Sequence, residues 1–202
     1  TVTITEDANN DGLISADELD GDIDVSVGLP EGAVAGDVIT VSDGTTTNTI
    51  TLVDGDITAG GVTTTFPSPG EGSTINVTAT LTDGAGNVSA PGSDSAVIDT
   101  TATPAPTVTI TEDANNDGLI SADELDGDID VLVGLPEGAV AGDVITVSDG
   151  TTTTTITLVA ADIEAGTVAA TFPSPGEGST IDVTATLTDG AGNVSAPGSD
   201  SA

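Results

Sequence analysis

Residues 7–18 read D-A-N-N-D-G-L-I-S-A-D-E, and the same twelve residues return at 113–124. Oxygen-bearing side chains stand at alternate positions, Asp7, Asn9 and Asp11. Gly12 follows them and Glu18 closes the run. The spacing fits D-x-[DN]-x-[DN]-G-x5-E, which turns several oxygens into one small cavity. Gly12 permits the sharp bend from which Leu13 presents its main-chain carbonyl. Ser15 contributes directly or through water, and Glu18 closes the site with both oxygens. Ile14 anchors the loop to the core. The second copy offers Asp113, Asn115, Asp117, Leu119 and Glu124 for the same roles. Such a set suits a hard divalent cation, which takes about six to eight oxygen ligands at roughly 2.3–2.6 Å. The plainer alternative is a solvated acidic turn, with Asn and Gly present for backbone geometry.

Composition narrows the ion. The chain of 202 residues has 34 acidic side chains and no Lys, Arg, His, Cys, Trp, Tyr or Met, for a formal net charge of −34. No salt bridge to a basic side chain is possible, so counter-charge comes from outside. Without thiolates and imidazoles the ligand set is all oxygen, pointing to calcium. Nucleic acid and anionic membrane would be repelled. No apolar run is long enough to span a bilayer, and no signal peptide is present. Carboxylate pairs could serve glycoside hydrolysis. There is no aromatic platform for a sugar, however, so the chain reads as non-enzymatic.

The elements that must position the loops repeat with a period of 106 residues, and only nine of 96 aligned positions differ between the copies. Such near-identity marks tandem domains that fold separately. Within a copy the apolar period is two. Val2 and Ile4 share a face; so do Ile23, Val25, Val27 and Leu29, then Ile50 and Leu52, then Ile75, Val77, Ala79 and Leu81. Alternation with turn signals such as "SDG", "PSPGEG" and "DGAGN" predicts about seven short antiparallel strands per copy. The fold class is therefore all-β: two tandem Ig-like β-sandwiches over 1–99 and 107–202, joined by a short stiff linker at 100–106 that carries Pro104 and Pro106. The cation loop falls between the first two strands, with "SADEL" giving one helical turn. The second copy stops before any counterpart of "VIDTTATPAP", so residues 199–202 are expected to be less well held than Ser93 to Ala96, and the sequence reads as a section of a longer chain.

Two further acidic groupings are ambiguous. Asp20, Asp22 and Asp24 either extend the loop's cluster or line the outer face of a strand. Asp83 and Asn87, with Asp99, are oxygen donors that could meet Glu112 of the next copy around a cation at the domain junction; Asp189 repeats Asp83. Taken alone, "DGAGN" is a turn.

The stretches "TVTITEDANNDGLISADEL", "TATLTDGAGNVS" and "VIDTTATPAPT" resemble the Ig-like extender repeats of large bacterial RTX adhesins, as in the calcium-stabilised repeat region of marine adhesins such as the ice-binding adhesin. The resemblance implies a string of sandwiches, secreted and held at the cell surface, that projects a distal ligand-binding domain. It also implies that calcium stiffens domains and junctions. The carried-over ligands are Asp7, Asn9, Asp11 and Glu18 with their copies, then Asp83, Asp99 and Glu112. Nothing matches that family's glycine-rich nonapeptides, so export signals are expected elsewhere. The expected role is a monomeric calcium-stiffened extender whose partners are neighbouring repeats. The alternative is a module that itself binds glycan, ice or another surface through metal or Thr-rich stretches such as "DGTTTNTITL". An extracellular site of this kind is expected to bind calcium at about 10⁻⁴–10⁻³ M.

Overall fold

Alternating apolar residues do build strands that bury one face. In β3 (Ile23–Gly28), Ile23, Val25 and Val27 are buried while Asp24 is exposed. The computed structural model describes residues 1–202, which divide into two compact units, Thr1–Thr101 and Ala102–Ala202.

In the first unit, β1 (Val2–Ile4), β3 and β6 (Gly61–Phe66) form one antiparallel sheet in the order β1-β3-β6. The facing sheet has the order β2-β8-β7-β4-β5, from β2 (Leu13–Ile14), β4 (Val38–Ser42), β5 (Thr47–Thr51), β7 (Thr74–Thr82) and β8 (Gly92–Ile98). Every pairing is antiparallel except β2 with β8, which is parallel and joins Leu13 to Val97 and Ile14 to Ile98. The inner faces meet in a core of Ile, Val, Leu and Ala around Phe66, whose side chain is fully buried. Each unit is thus a β-sandwich.

A six-residue helix, α1 (Asp54–Ala59), precedes β6. It was not anticipated, because six residues are too few to display a helical period. The Asp56 carboxylate accepts the Val53 N–H at 2.9 Å, and Gly60 ends the helix in the left-handed region at φ 75°. The linker begins attached to the first unit: Thr100 donates its N–H and hydroxyl to Glu71, at 2.9 and 2.7 Å.

The second unit repeats the plan. Its smaller sheet contains β9 (Thr107–Ile110), β10 (Ile129–Gly134) and β13 (Thr167–Phe172). The larger contains β11 (Val144–Ser148), β12 (Thr153–Thr157), β14 (Asp182–Thr188) and β15 (Gly198–Ser201), and α2 (Ala160–Ala165) precedes β13. The strands number eight and seven because residues 119–120 have no strand to pair with. The last strand is also shorter: β15 makes four pairs to β14, where β8 makes six to β7.

Candidate metal centre

Each acidic loop is organised by its first aspartate. Asp7 is only 7% exposed. Its Oδ1 accepts the Asp11 N–H at 3.0 Å and its Oδ2 the Gly12 N–H at 2.9 Å. Asn9 Oδ1 accepts from the Asp11 N–H and Asp11 Oδ1 from the Leu13 N–H, both at 2.9 Å. Asn10 and Gly12 adopt positive φ, 58° and 87°, which coils the chain around the Asp7 carboxylate. Asn tolerates that region and Gly has no Cβ to oppose it. At the far end, Ser15 donates its N–H and hydroxyl to Glu18 Oε2 at 3.0 and 2.9 Å. The Leu19 N–H reaches Ser15 O at 3.0 Å, closing the single helical turn expected there.

The second loop has the same internal bonds. Asp113 accepts the N–H groups of Asp117 and Gly118 at 3.1 and 2.8 Å, and Asn115 accepts that of Asp117 at 2.9 Å. Asp117 accepts from Leu119 at 3.0 Å, and Glu124 from Ser121 at 2.9 Å. Hydrogen bonds from the Ser121 N–H and hydroxyl hold the Glu124 carboxyl below the usual carboxylate range, against the repulsion of Asp113.

What secures the first loop is the last strand of its own sandwich. Val97 donates its N–H to Gly12 O at 2.9 Å, and Asp99 to Ile14 O at 3.0 Å. Carbonyls alternate along an extended chain, so that of Leu13 is turned away from β8, as a main-chain ligand must be. Ile14 is fully buried in the core. The oxygen-only donors fit a hard cation such as calcium and no thiophilic metal. No three acidic side chains already converge on one point. The order of the loop comes from its main-chain hydrogen bonds.

Residues 7–26 and 113–127 match the EF-hand family model. Each repeat carries an EF-hand motif. It is flanked by strands, β1 and β3 in the first repeat, where an EF-hand has helices. A search of the curated proteins finds no match. Among solved structures, the fibronectin(III)-like modules of Clostridium thermocellum CbhA overlay with a TM-score of 0.54 at 16% identity, over 100% of this chain and 92% of that one. A structure described as giving insight into host cell surface retention of a 1.5-MDa bacterial ice-binding adhesin overlays with a TM-score of 0.50 at 24% identity. It is covered over 100% of this chain and 62% of that one, so this chain spans less than two thirds of its length. At these identities the likeness establishes the fold, a tandem of fibronectin-III- or Ig-like sandwiches.

The remaining acidic positions separate. Antiparallel pairing of β7 with β8 sets Thr74 opposite Val97 and Ala79 opposite Gly92. Asp83, beyond the end of β7, and Asp99, beyond the end of β8, therefore lie at opposite poles of the first sandwich, about 30 Å apart along the strands. Their grouping around one ion is corrected by that register. Asp99 lies at the pole that holds residues 7–18. Asp83 locks the "DGAGN" turn: its carboxylate accepts the N–H groups of Ala85 and Asn87 at 2.9 and 2.8 Å and the Asn87 amide at 2.7 Å. The Asn87 bonds, side chain first, hold Asp83 below the usual range. Asp189 closes the equivalent turn of the second unit. Glu112 follows β9, at the pole of its unit opposite Pro106, because Thr107 pairs with Gly134 and Ile110 with Val131.

Glu6 was not singled out from the sequence, although Glu112 is its copy. It is 7% exposed. Burial first, then the carboxylates of Asp20 and Asp24, push it above the usual range, partly offset by hydrogen bonds from the main chain of those two residues. Asp20 and Asp24 thus lie near Glu6, and Asp24 occupies the exposed face of β3.

Proposed function

We propose that this chain is a structural extender segment of a cell-surface adhesin, a rod of sandwiches stiffened by calcium held in residues 7–18 and 113–124. The observation that carries this reading is the splice of the first loop into its fold. The loop's Gly12 and Ile14 carbonyls accept from the last strand, and Asp7 anchors its turn. A cation held by Asp7, Asn9, Asp11, the Leu13 carbonyl and Glu18 would screen acidic side chains that have no basic partner in the chain. It would tie the start of the sandwich to its end. Binding to the folded loop only would stabilise the fold by mass action.

Near-identity of the repeats supports a spacer, where length matters more than individual surface. The EF-hand matches support calcium, and the overlay on the structure of a bacterial ice-binding adhesin supports an adhesin context. The reading extends to an extracellular location, a monomeric state and neighbouring repeats as partners, as expected of an adhesin extender. A spacer needs no catalytic group, consistent with the absence of His, Cys, Lys and Tyr. No helix is long and apolar enough to cross a membrane.

The test is urea unfolding and small-angle scattering in EDTA, in 10 mM magnesium and in 10 mM calcium. The expected result is a higher unfolding midpoint and a fixed maximum dimension in calcium alone. Equal midpoints in all three would sink the proposal.

One observation favours a second reading, direct adhesion. The outer face of the larger sheet aligns Thr49, Thr40 and Thr80 across three strands, with Thr47, Ser42 and Thr78 beside them. A hydroxyl array can meet a glycan or an ordered surface; saturable binding of the fragment to either would support it. Threonine is also a strand former on exposed faces, which accounts for the array without a ligand.

A further inference from the structure

Nine Asp-Gly pairs lie along the chain, five in the first repeat and four in the second. In such a pair the glycine nitrogen can close onto the aspartate side chain, because no Cβ hinders the approach. The fold decides which pairs are free to do so. At Asp11 and Asp117, Gly12 and Gly118 donate their N–H to Asp7 and Asp113, and the carboxylates accept from Leu13 and Leu119. Asp43 and Asp149 accept the N–H of Thr45 and Thr151, while Gly44 and Gly150 donate to the hydroxyls of Ser42 and Ser148. The carboxylates of Asp83 and Asp189 are tied within their own turns. Asp54 stands in α1, whose helical main chain holds the next nitrogen out of line with the side chain. Asp20 and Asp126 remain. Their carboxylates accept no hydrogen bond, and the N–H groups of Gly21 and Gly127 donate none. Asp20 is engaged only through its main chain, toward Glu6. Both pairs are exposed, and a Cβ on Gly21 or Gly127, at φ 153° and 159°, would touch nothing within 4 Å. Each pair bridges two held points. Leu19 and Leu125 close the helical turn before it with N–H bonds to Ser15 O and Ser121 O, and Ile23 and Ile129 are buried after it.

We infer that Asp20-Gly21 and Asp126-Gly127 are modification sites, at which the folded chain converts aspartate to isoaspartate through a cyclic imide. The Gly21 nitrogen attacks Cγ of the Asp20 carboxyl group. The N–Cγ bond forms, the Cγ–OH bond breaks, and the N–H proton leaves with that hydroxyl as water. A second water then opens the ring. Attack at Cγ restores aspartate; attack at the main-chain carbonyl breaks its bond to the Gly21 nitrogen and leaves the chain running through Cγ. Nothing is oxidised or reduced, and water is the only co-reactant. The product carries one extra main-chain carbon between Glu18 and Ile23, and likewise between Glu124 and Ile129. That carbon adds slack where the acidic loop joins its sandwich. The inference does not depend on calcium.

The test ages the 202-residue protein in H₂¹⁸O with EDTA and 0.5 M NaCl, the salt screening repulsion among the acidic side chains. Each ring opening then leaves one ¹⁸O atom at the reacting residue. Electron-transfer mass spectrometry of the peptides locates the label and separates isoaspartate from aspartate. Label and isoaspartate are expected at Asp20 and Asp126, at least tenfold above each of the other seven Asp-Gly pairs. In concentrated urea that preference should vanish, with all nine pairs labelled alike. Asp20→Glu keeps the charge at an exposed position but lengthens the ring, so label at residue 20 should fall at least tenfold while Asp126 reacts as before. Equal labelling of all nine pairs in the folded protein, strongest labelling at another pair, or no label at Asp20 and Asp126 would each overturn the assignment. A preference that survives in urea would do so too, since it would belong to the local sequence and not to the fold. Because every arm runs without calcium, this failure is distinguishable from failure of the calcium reading.

Discussion

The carboxylate of Asp94 on β8 accepts the main-chain N–H of Ile4 on β1 at 2.8 Å, bonding the two sheets of the first sandwich across their edge. Asp200 makes the same bond to Ile110 in the second, also at 2.8 Å. Asp94→Ala leaves a part-buried N–H without its acceptor and should cost about 1–3 kcal/mol in the first repeat. Asp94→Asn keeps one acceptor oxygen and should cost less. Calorimetry of the full chain would check this; equal losses for Ala and Asn would refute the bond's contribution.

Phe66 and Phe172 are the only aromatics, each fully buried in its own core. Phe172→Ala should remove about 3–5 kcal/mol from the second repeat, enough to unfold it while the first stays native. NMR spectra in which one set of repeat signals collapses and the other persists are expected. Loss of both sets would show that the repeats do not fold independently.

Glu71 titrates below the usual carboxylate range because the hydroxyl and N–H of Thr100 donate to it. A depressed folded value means that the bond contributes fully above the unfolded pKa, about 4.3. The contribution is lost as pH falls through the lower folded value. Glu71 is exposed, so the effect on global stability is small. Its carboxyl ¹³C titration should move up towards the ordinary value in Thr100→Val, and an unchanged midpoint would contradict the assignment.

Glu18→Gln removes the closing charge of the first loop and leaves the second intact. Calcium titration by calorimetry should show affinity at that loop falling at least tenfold, with the second loop unchanged. Gly12→Ala, which forces a side chain into φ 87°, should weaken the same loop and lower stability even in EDTA.

With −34 charge and no basic side chain, the calcium-free protein should gain stability between about 10 mM and 0.5 M monovalent salt, as screening weakens self-repulsion. A melting temperature that does not rise with salt would show that the acidic groups are too well separated in the fold to matter.

The strand faces were legible because a sheet buried on one side imposes a period of two. Ile23, Val25 and Val27, and Ile75 and Val77, are buried as their alternation required. The loops were legible as EF-hand motifs because that motif has a fixed spacing, and the repeat made the pattern appear twice. Two local features escaped. The six residues of α1 are shorter than two helical turns, and Glu6 carries nothing in its neighbours to mark it as buried.

By itself the sequence determined the period-two strands, the tandem repeat, the all-oxygen donor set and the order of donors within each loop, since these are local or compositional properties. Only the tertiary structure decided which distant residues share a pole. The antiparallel register of β7 and β8 parted Asp83 from Asp99, and the parallel seam of β2 with β8 brought Asp99 to the loop. The fold also bonded Asp94 to Ile4 across ninety residues. Those outcomes depend on strand register and on what packs alongside, and neither is a property of the residues taken in order.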